Sequence, residues 1–200
     1  AWKLIDFGNA TFQGAAHGFA RLIVNDFIPF GIDRKSILER ILNMTKAVKF
    51  IQDSNGSLNE ALPHESSFCV TALVAYDLLS AVETLEEILS PRERADMLSV
   101  VSPMIHFLHH NDEHHGLISN HLATAATALY KYHALTNENS CDRGRKFLDR
   151  ILDHQSEEGW YQEYEGADPG YQSLCTYYLA DLHRLRPELN LKESLAKSIR

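Results

Sequence analysis

Apolar residues recur along this chain at intervals of three and four. In RKSILERILNMTKAVKFIQ, Ile37, Ile41, Met44, Val48 and Ile51 fall on one helical face, with lysines and arginines opposite. SSFCVTALVAYDLLSAVETLEEIL is apolar around most of its circumference, the pattern of a helix covered on both sides. RERADMLSVVSPMIHFLHH predicts a third helix, kinked near Pro103. The Ala-rich SNHLATAATALYKYHAL predicts a close-packing fourth. DRGRKFLDRILDHQ then repeats the amphipathic pattern of residues 34–52, and PGYQSLCTYYLADLHRL repeats the buried pattern of 67–89. LNLKESLAKSIR reads as the opening of a further outer helix. No run alternates with period two, so the expected fold class is all-α.

A second periodicity lies over the first. Gln52, Gly56, Glu60 and Phe68 return as Gln155, Gly159, Glu163 and Tyr171, each displaced by 103 residues. Both copies follow an amphipathic helix and precede a buried one. The glycines stand where a helix must stop and the chain reverse, a place for a residue that reaches positive φ at little cost. Outer helix, glycine turn, loop and inner helix then form one hairpin. About four such antiparallel hairpins predict an incomplete, solenoid-like α/α toroid. Residues 1–200 are expected to be a single domain of this type, a piece of a longer ring whose open apolar edge favours self-association.

Composition narrows the partners. A formal net charge of −8, with no Lys/Arg run among aromatics, argues against nucleic acid. No apolar run approaches the ~20 residues of a membrane helix, so no membrane partner is expected. Cys69, Cys141 and Cys175 are odd in number and contain no CxxC, which fits reduced thiols in a cytoplasmic setting better than a secreted disulfide framework. His106, His109 and His110 have helical spacing, but HExxH is missing and the thiols lie elsewhere. Neither a metal site nor a cofactor is expected.

Three loops that enter inner helices are rich in polar groups. The first holds Glu60, His64 and Glu65. The second holds His109, His110, Asp112, Glu113, His114, His115, Asn120 and His121. The third holds Trp160, Tyr161, Glu163, Tyr164, Asp168 and Tyr171. Each leads into a helix N-terminus, whose unpaired N–H groups favour an anion. Gathered at one end of a ring, they would suit a carboxylate-bearing ligand.

SNHLATAATALYKYHAL resembles the Asn-His-Leu helix of heparinase II/III-type and alginate-type polysaccharide lyases. EEGWYQEYEGADPGYQSL resembles their later Gly-turn, Glu and Tyr segment, and together the likeness spans residues 110–185. It implies an α/α toroid that binds or cleaves an acidic, uronate-bearing polysaccharide by β-elimination. Asn120 would neutralise the substrate carboxylate, and His121 and Tyr171 would share proton transfer. His64, His114, His115, Trp160, Tyr161, Glu163 and Asp168 would line the substrate cleft. The Gln-x3-Gly turns also resemble those of terpenoid-cyclase and prenyltransferase toroids. The chain departs from the lyase pattern in two ways. Nothing reads as the β-sandwich that accompanies those toroids, and no arginine stands beside the Asn-His or Tyr motifs.

Two other readings remain open. Two of Glu60, Glu163 and Asp168 would serve a glycoside hydrolase on the same fold. Alternatively, Ser119 and Asn120 are helix caps, Tyr171 is a packed ring, Glu60 and Glu163 hold loop amides, and the chain is a non-catalytic helical scaffold. A terpenoid cyclase is disfavoured by the lack of DxDD or DDxxD.

Overall fold

A computed structural model describes residues 3–5, 7–8, 10–60 and 62–199, with the side chains of 3–5 and 7–8 left out of that description. Among the described residues, eight α-helices carry the fold. They are α1 (Ala15–Val24), α2 (Arg34–Ile51), α3 (Phe68–Thr84), α4 (Pro91–His110), α5 (Ser119–Thr136), α6 (Cys141–Asp153), α7 (Pro169–Leu185) and α8 (Lys192–Ser198). The all-α expectation holds, apart from a short antiparallel ribbon of β1 (Lys3–Ile5) and β2 (Phe7–Gly8). Helix starts follow local chemistry. Asp33 accepts from the N–H of Ser36 at 2.7 Å, Ser67 from that of Val70 at 3.2 Å, and Asp168 from that of Tyr171 at 2.8 Å. Proline at the first position of α7 adds a φ already suited to the helix. Helix α4 continues through Pro103.

The chain forms two compact units, residues 1–107 and 108–200. In the first, α1 lies against both α2 and α3. Ala16, Ala20 and Ile23 of α1 are fully buried, as are Ile41 and Val48 of α2. In the second, α5 lies against both α6 and α7, and α8 lies against α7. From Ser119 to Tyr132, every residue of α5 except His121 is buried. Each glycine turn therefore joins two helices that both lean on the helix before them, α1 in one unit and α5 in the other.

The repeated turn recurs bond for bond. Asp53 N–H donates to Ser57 O at 2.9 Å, and Ser156 N–H to Trp160 O at 2.9 Å. Gly56 N–H donates to Asp53 O at 2.9 Å, and Gly159 N–H to Ser156 O at 3.0 Å. Gln52 Nε2 reaches Gly56 O at 3.1 Å, and Gln155 Nε2 reaches Gly159 O at 2.8 Å. The glycines take φ of +91° and +101°. A Cβ on Gly56 would land on the carbonyl of Pro103 in α4, and one on Gly159 on the carbonyl of Lys197 in α8. Both the dihedral and the close backbone approach therefore exclude a side chain.

Gly159→Ala is expected to lower stability by about 2 kcal/mol or more, because left-handed strain and a backbone clash act together. Gly18→Ala, inside α1 with nothing within 4 Å of the added Cβ, is expected to raise it by roughly 0.5–1 kcal/mol. Urea unfolding followed by circular dichroism checks both signs.

Candidate functional site

The second and third polar loops are laced together in the unit of residues 108–200. Ser119 donates to the carbonyl of Gln162 through its N–H at 3.2 Å and its hydroxyl at 2.6 Å. Tyr164 N–H donates to Leu117 O at 2.8 Å, and Ile118 and Glu163 form an isolated antiparallel bridge. This pairing carries Glu163 to the start of α5, where Ile118 has no side chain to cap the helix. Glu163 supplies the cap from another part of the chain. Its Oε1 accepts from the N–H of Asn120 and its Oε2 from the Asn120 amide Nδ2, both at 2.8 Å. Glu163 is 3% exposed. Burial pushes its carboxyl pKa up, opposed by the two Asn120 bonds and by nearby His121.

Glu113 is the other buried carboxylate here. Its Oε1 accepts from the N–H of His115 at 2.9 Å and lies 2.8 Å from His115 Nδ1. Its Oε2 lies 2.7 Å from Nδ1 of His121. Burial would raise the Glu113 pKa, but the bonds from His121 and His115 outweigh it and bring it down to about 2. An ionised carboxylate only accepts, so Nδ1 of His121 is the donor in this pair. The preceding residue anchors this loop to α6. Asp112 receives Arg150 at 2.6 Å and Arg143 at 3.0 Å, and Arg143 also donates to Asn111 O at 2.7 Å. Burial opposes ionisation of Asp112, yet the arginines hold its pKa below the usual carboxylate range.

The expected residues distribute unevenly. Asn120 and Glu163 bond each other, and His121 and His115 share Glu113. His121 keeps a side chain 16% exposed, whereas His114 and His115 are exposed. Asp168 caps α7 and, with His121, lies within electrostatic reach of Glu163. Tyr171 stands on the first turn of α7 and is 41% exposed. Trp160 is half-buried and donates from Nε1 to Glu158 at 3.3 Å. Tyr161 corrects its expected position in the cleft. It is 0% exposed and hydrogen-bonded to Ser194 of α8 at 2.8 Å, so its ring packs the turn.

The first polar loop belongs to the other unit. His64, at φ +62°, lies 3.6 Å from Asp53. Glu60 accepts from the hydroxyl of Ser67, the cap of α3, at 3.2 Å. Glu65 accepts from the N–H groups of Glu60 and Leu62. Glu60 thus repeats the behaviour of Glu163, holding a loop to a helix start. Glu113 is the residue to which the sequence assigned no part. Its position two residues before His115 and eight before His121 was visible, but only the loop's turn makes those distances into bonds.

Among the described residues, no group of three or more His, Cys, Asp or Glu is placed to hold a metal ion, and no helix is long and apolar enough to cross a membrane. The chain matches no protein-family model, no curated protein and no solved structure.

The depressed pKa of Glu113 has a testable sign. Its unfolded value is 4.5 and its folded value about 2. The resulting stabilisation is complete above 4.5 and is lost as pH falls through about 2. Wild type should therefore lose about 1–3 kcal/mol more than Glu113→Gln across that window. Urea unfolding at stepped pH checks it.

Proposed function

We propose that this chain is an arc of an α/α toroid that acts on a carboxylate-bearing polysaccharide by β-elimination. The observation that supports this best is the pairing of His121 with Glu113 at 2.7 Å, on the one residue of the first four turns of α5 that is not buried. A carboxylate behind Nδ1 orients the ring and stabilises the imidazolium formed when Nε2 takes a proton. In the proposed reaction Nε2 removes the C5 proton of a uronate, the C4–O bond breaks and a C4=C5 double bond forms. The Tyr171 hydroxyl returns a proton to the leaving oxygen. The developing anion would be stabilised by the second amide hydrogen of Asn120.

A non-catalytic scaffold is the second reading, and the Asn120–Glu163 bonds favour it. Two buried groups that satisfy each other need no ligand to explain them.

Incubation with a panel of uronate polymers, followed by the ultraviolet absorbance of the unsaturated product, tests the first reading. His121→Ala is expected to lower product formation by about 10²–10⁴-fold, and Tyr171→Phe is expected to lower it as well. Glu113→Gln is expected to shift its pH profile. No product from any polymer would overturn the lyase reading. The scaffold reading then requires Asn120→Ala to cost about 1–3 kcal/mol, since buried Glu163 would keep the backbone donor to Oε1 but lose the amide donor to Oε2.

A further inference from the structure

Helix α2 has two working faces. Ile37, Ile41, Thr45 and Val48 are buried. Ser36, Arg40, Asn43 and Ala47, spaced by three and four residues, share a second stripe with Glu39 and Met44. That stripe lines a cavity of about 680 Å³, which is lined elsewhere by Ala15 and Phe19 of α1 and by Phe12 and Gln13 of the 3₁₀ turn Thr11–Gly14. The volume falls within the usual range of small-molecule sites, about 300–1,000 Å³.

The lining mixes apolar surface with unengaged polar groups. Phe12, Phe19 and Met44 supply the apolar part, and Phe12 is 57% exposed. Ser36 is committed, its hydroxyl donating to Asp33 at 2.9 Å. The other four polar side chains are not. Among the described residues, no hydrogen bond or ion pair engages the side chains of Gln13, Arg40 or Asn43. Glu39 approaches Lys35 only to 3.8 Å, beyond hydrogen-bond distance. The residue 103 positions after Arg40 is Arg143, which binds Asn111 and Asp112 in its own unit. The same arginine of the repeat is therefore engaged in one unit and lines a cavity in the other.

Gln13, Glu39, Arg40 and Asn43 select a ligand by elimination. A carboxylate would gain Arg40 but meet Glu39, and an ammonium would gain Glu39 but meet Arg40. A hydrocarbon would take water from all four and replace none of its hydrogen bonds. A neutral hydroxyl both donates and accepts, so several of them can satisfy two amides, a guanidinium and a carboxylate together. A pyranose ring carries such hydroxyls on its edge and C–H groups on its faces, and the faces suit an exposed aromatic ring.

We propose that the α1–α2 cavity binds a neutral sugar, with a pyranose ring against Phe12 and its hydroxyls bonded to Gln13, Glu39, Arg40 and Asn43. Each of these bonds replaces one made to water, so binding is weak, with Kd on the order of 1 mM. The site uses no residue of the His121 cluster and is independent of the lyase reading.

Titration of the ¹⁵N-labelled full chain with cellotriose and with maltotriose, followed by amide chemical shifts, tests it. At least one of the two is expected to give saturable shifts confined to residues 12–19 and 36–47. Phe12→Ala and Asn43→Ala are each expected to weaken binding by roughly threefold to tenfold, with unchanged circular dichroism. Phe50→Ala removes a ring that is 86% exposed outside the cavity, and it is expected to leave binding unchanged. The absence of saturable shifts with both sugars overturns the proposal, as do shifts that map elsewhere. Trigalacturonate binding this cavity more tightly than the neutral sugars overturns it too. So does a folded Phe12→Ala or Asn43→Ala variant that binds like wild type.

Discussion

Two carboxylates buried at the start of α5 organise the unit of residues 108–200. A buried anion needs donors, and each of these finds them across a loop: Glu163 on the backbone and amide of Asn120, Glu113 on His115 and His121. Removing either set of donors would strand a charge away from water. The loops before α5 and α7 are consequently held together by the cost of leaving those groups unpaired. The same bonds set the orientation of His121, so one constraint serves both folding and the proposed chemistry.

The environments of the two acids push them in opposite directions. Glu163 meets neutral donors and burial raises its pKa. Glu113 meets two histidines and is driven down to about 2. In the proposed lyase reading, these divergent environments would separate the roles of the two acids. The positive charge nearby is largely committed, because Arg143 and Arg150 both bind Asp112. In the proposed lyase reading, a substrate carboxylate would therefore meet Asn120 and the histidines, because Asp112 holds the two arginines and Glu163 caps α5.

Helical periodicity made the all-α class and most of the helices legible. The segment beginning at Pro169 was delimited at both ends, and the amphipathic run from Arg34 ended within a residue of the observed helix. Helix α1 escaped because it has only ten residues, contains Gly18 and starts from a 3₁₀ turn without a capping side chain. The glycine turns were readable because positive φ and backbone contact leave a residue-specific trace. The site was readable only in part. Asn120, His121 and Tyr171 were named from short motifs, but the bonds of Asn120 and His121 depend on partners 43 and 8 residues away, Glu163 and Glu113. Tyr161 misled because an aromatic beside a polar loop looks the same in sequence whether it faces a ligand or, as here, Ser194.

The central claim is that the Glu113 carboxylate fixes the tautomer of His121. Two-dimensional ¹⁵N–¹H correlation of the imidazole nitrogens in the full chain, assigned with Glu113→Gln and His121→Ala, measures this directly. In the neutral ring the proton is expected on Nδ1, with Nε2 showing the shift of an unprotonated nitrogen, and Glu113→Gln is expected to weaken that preference. A neutral His121 protonated on Nε2, indifferent to Glu113→Gln, would contradict the account.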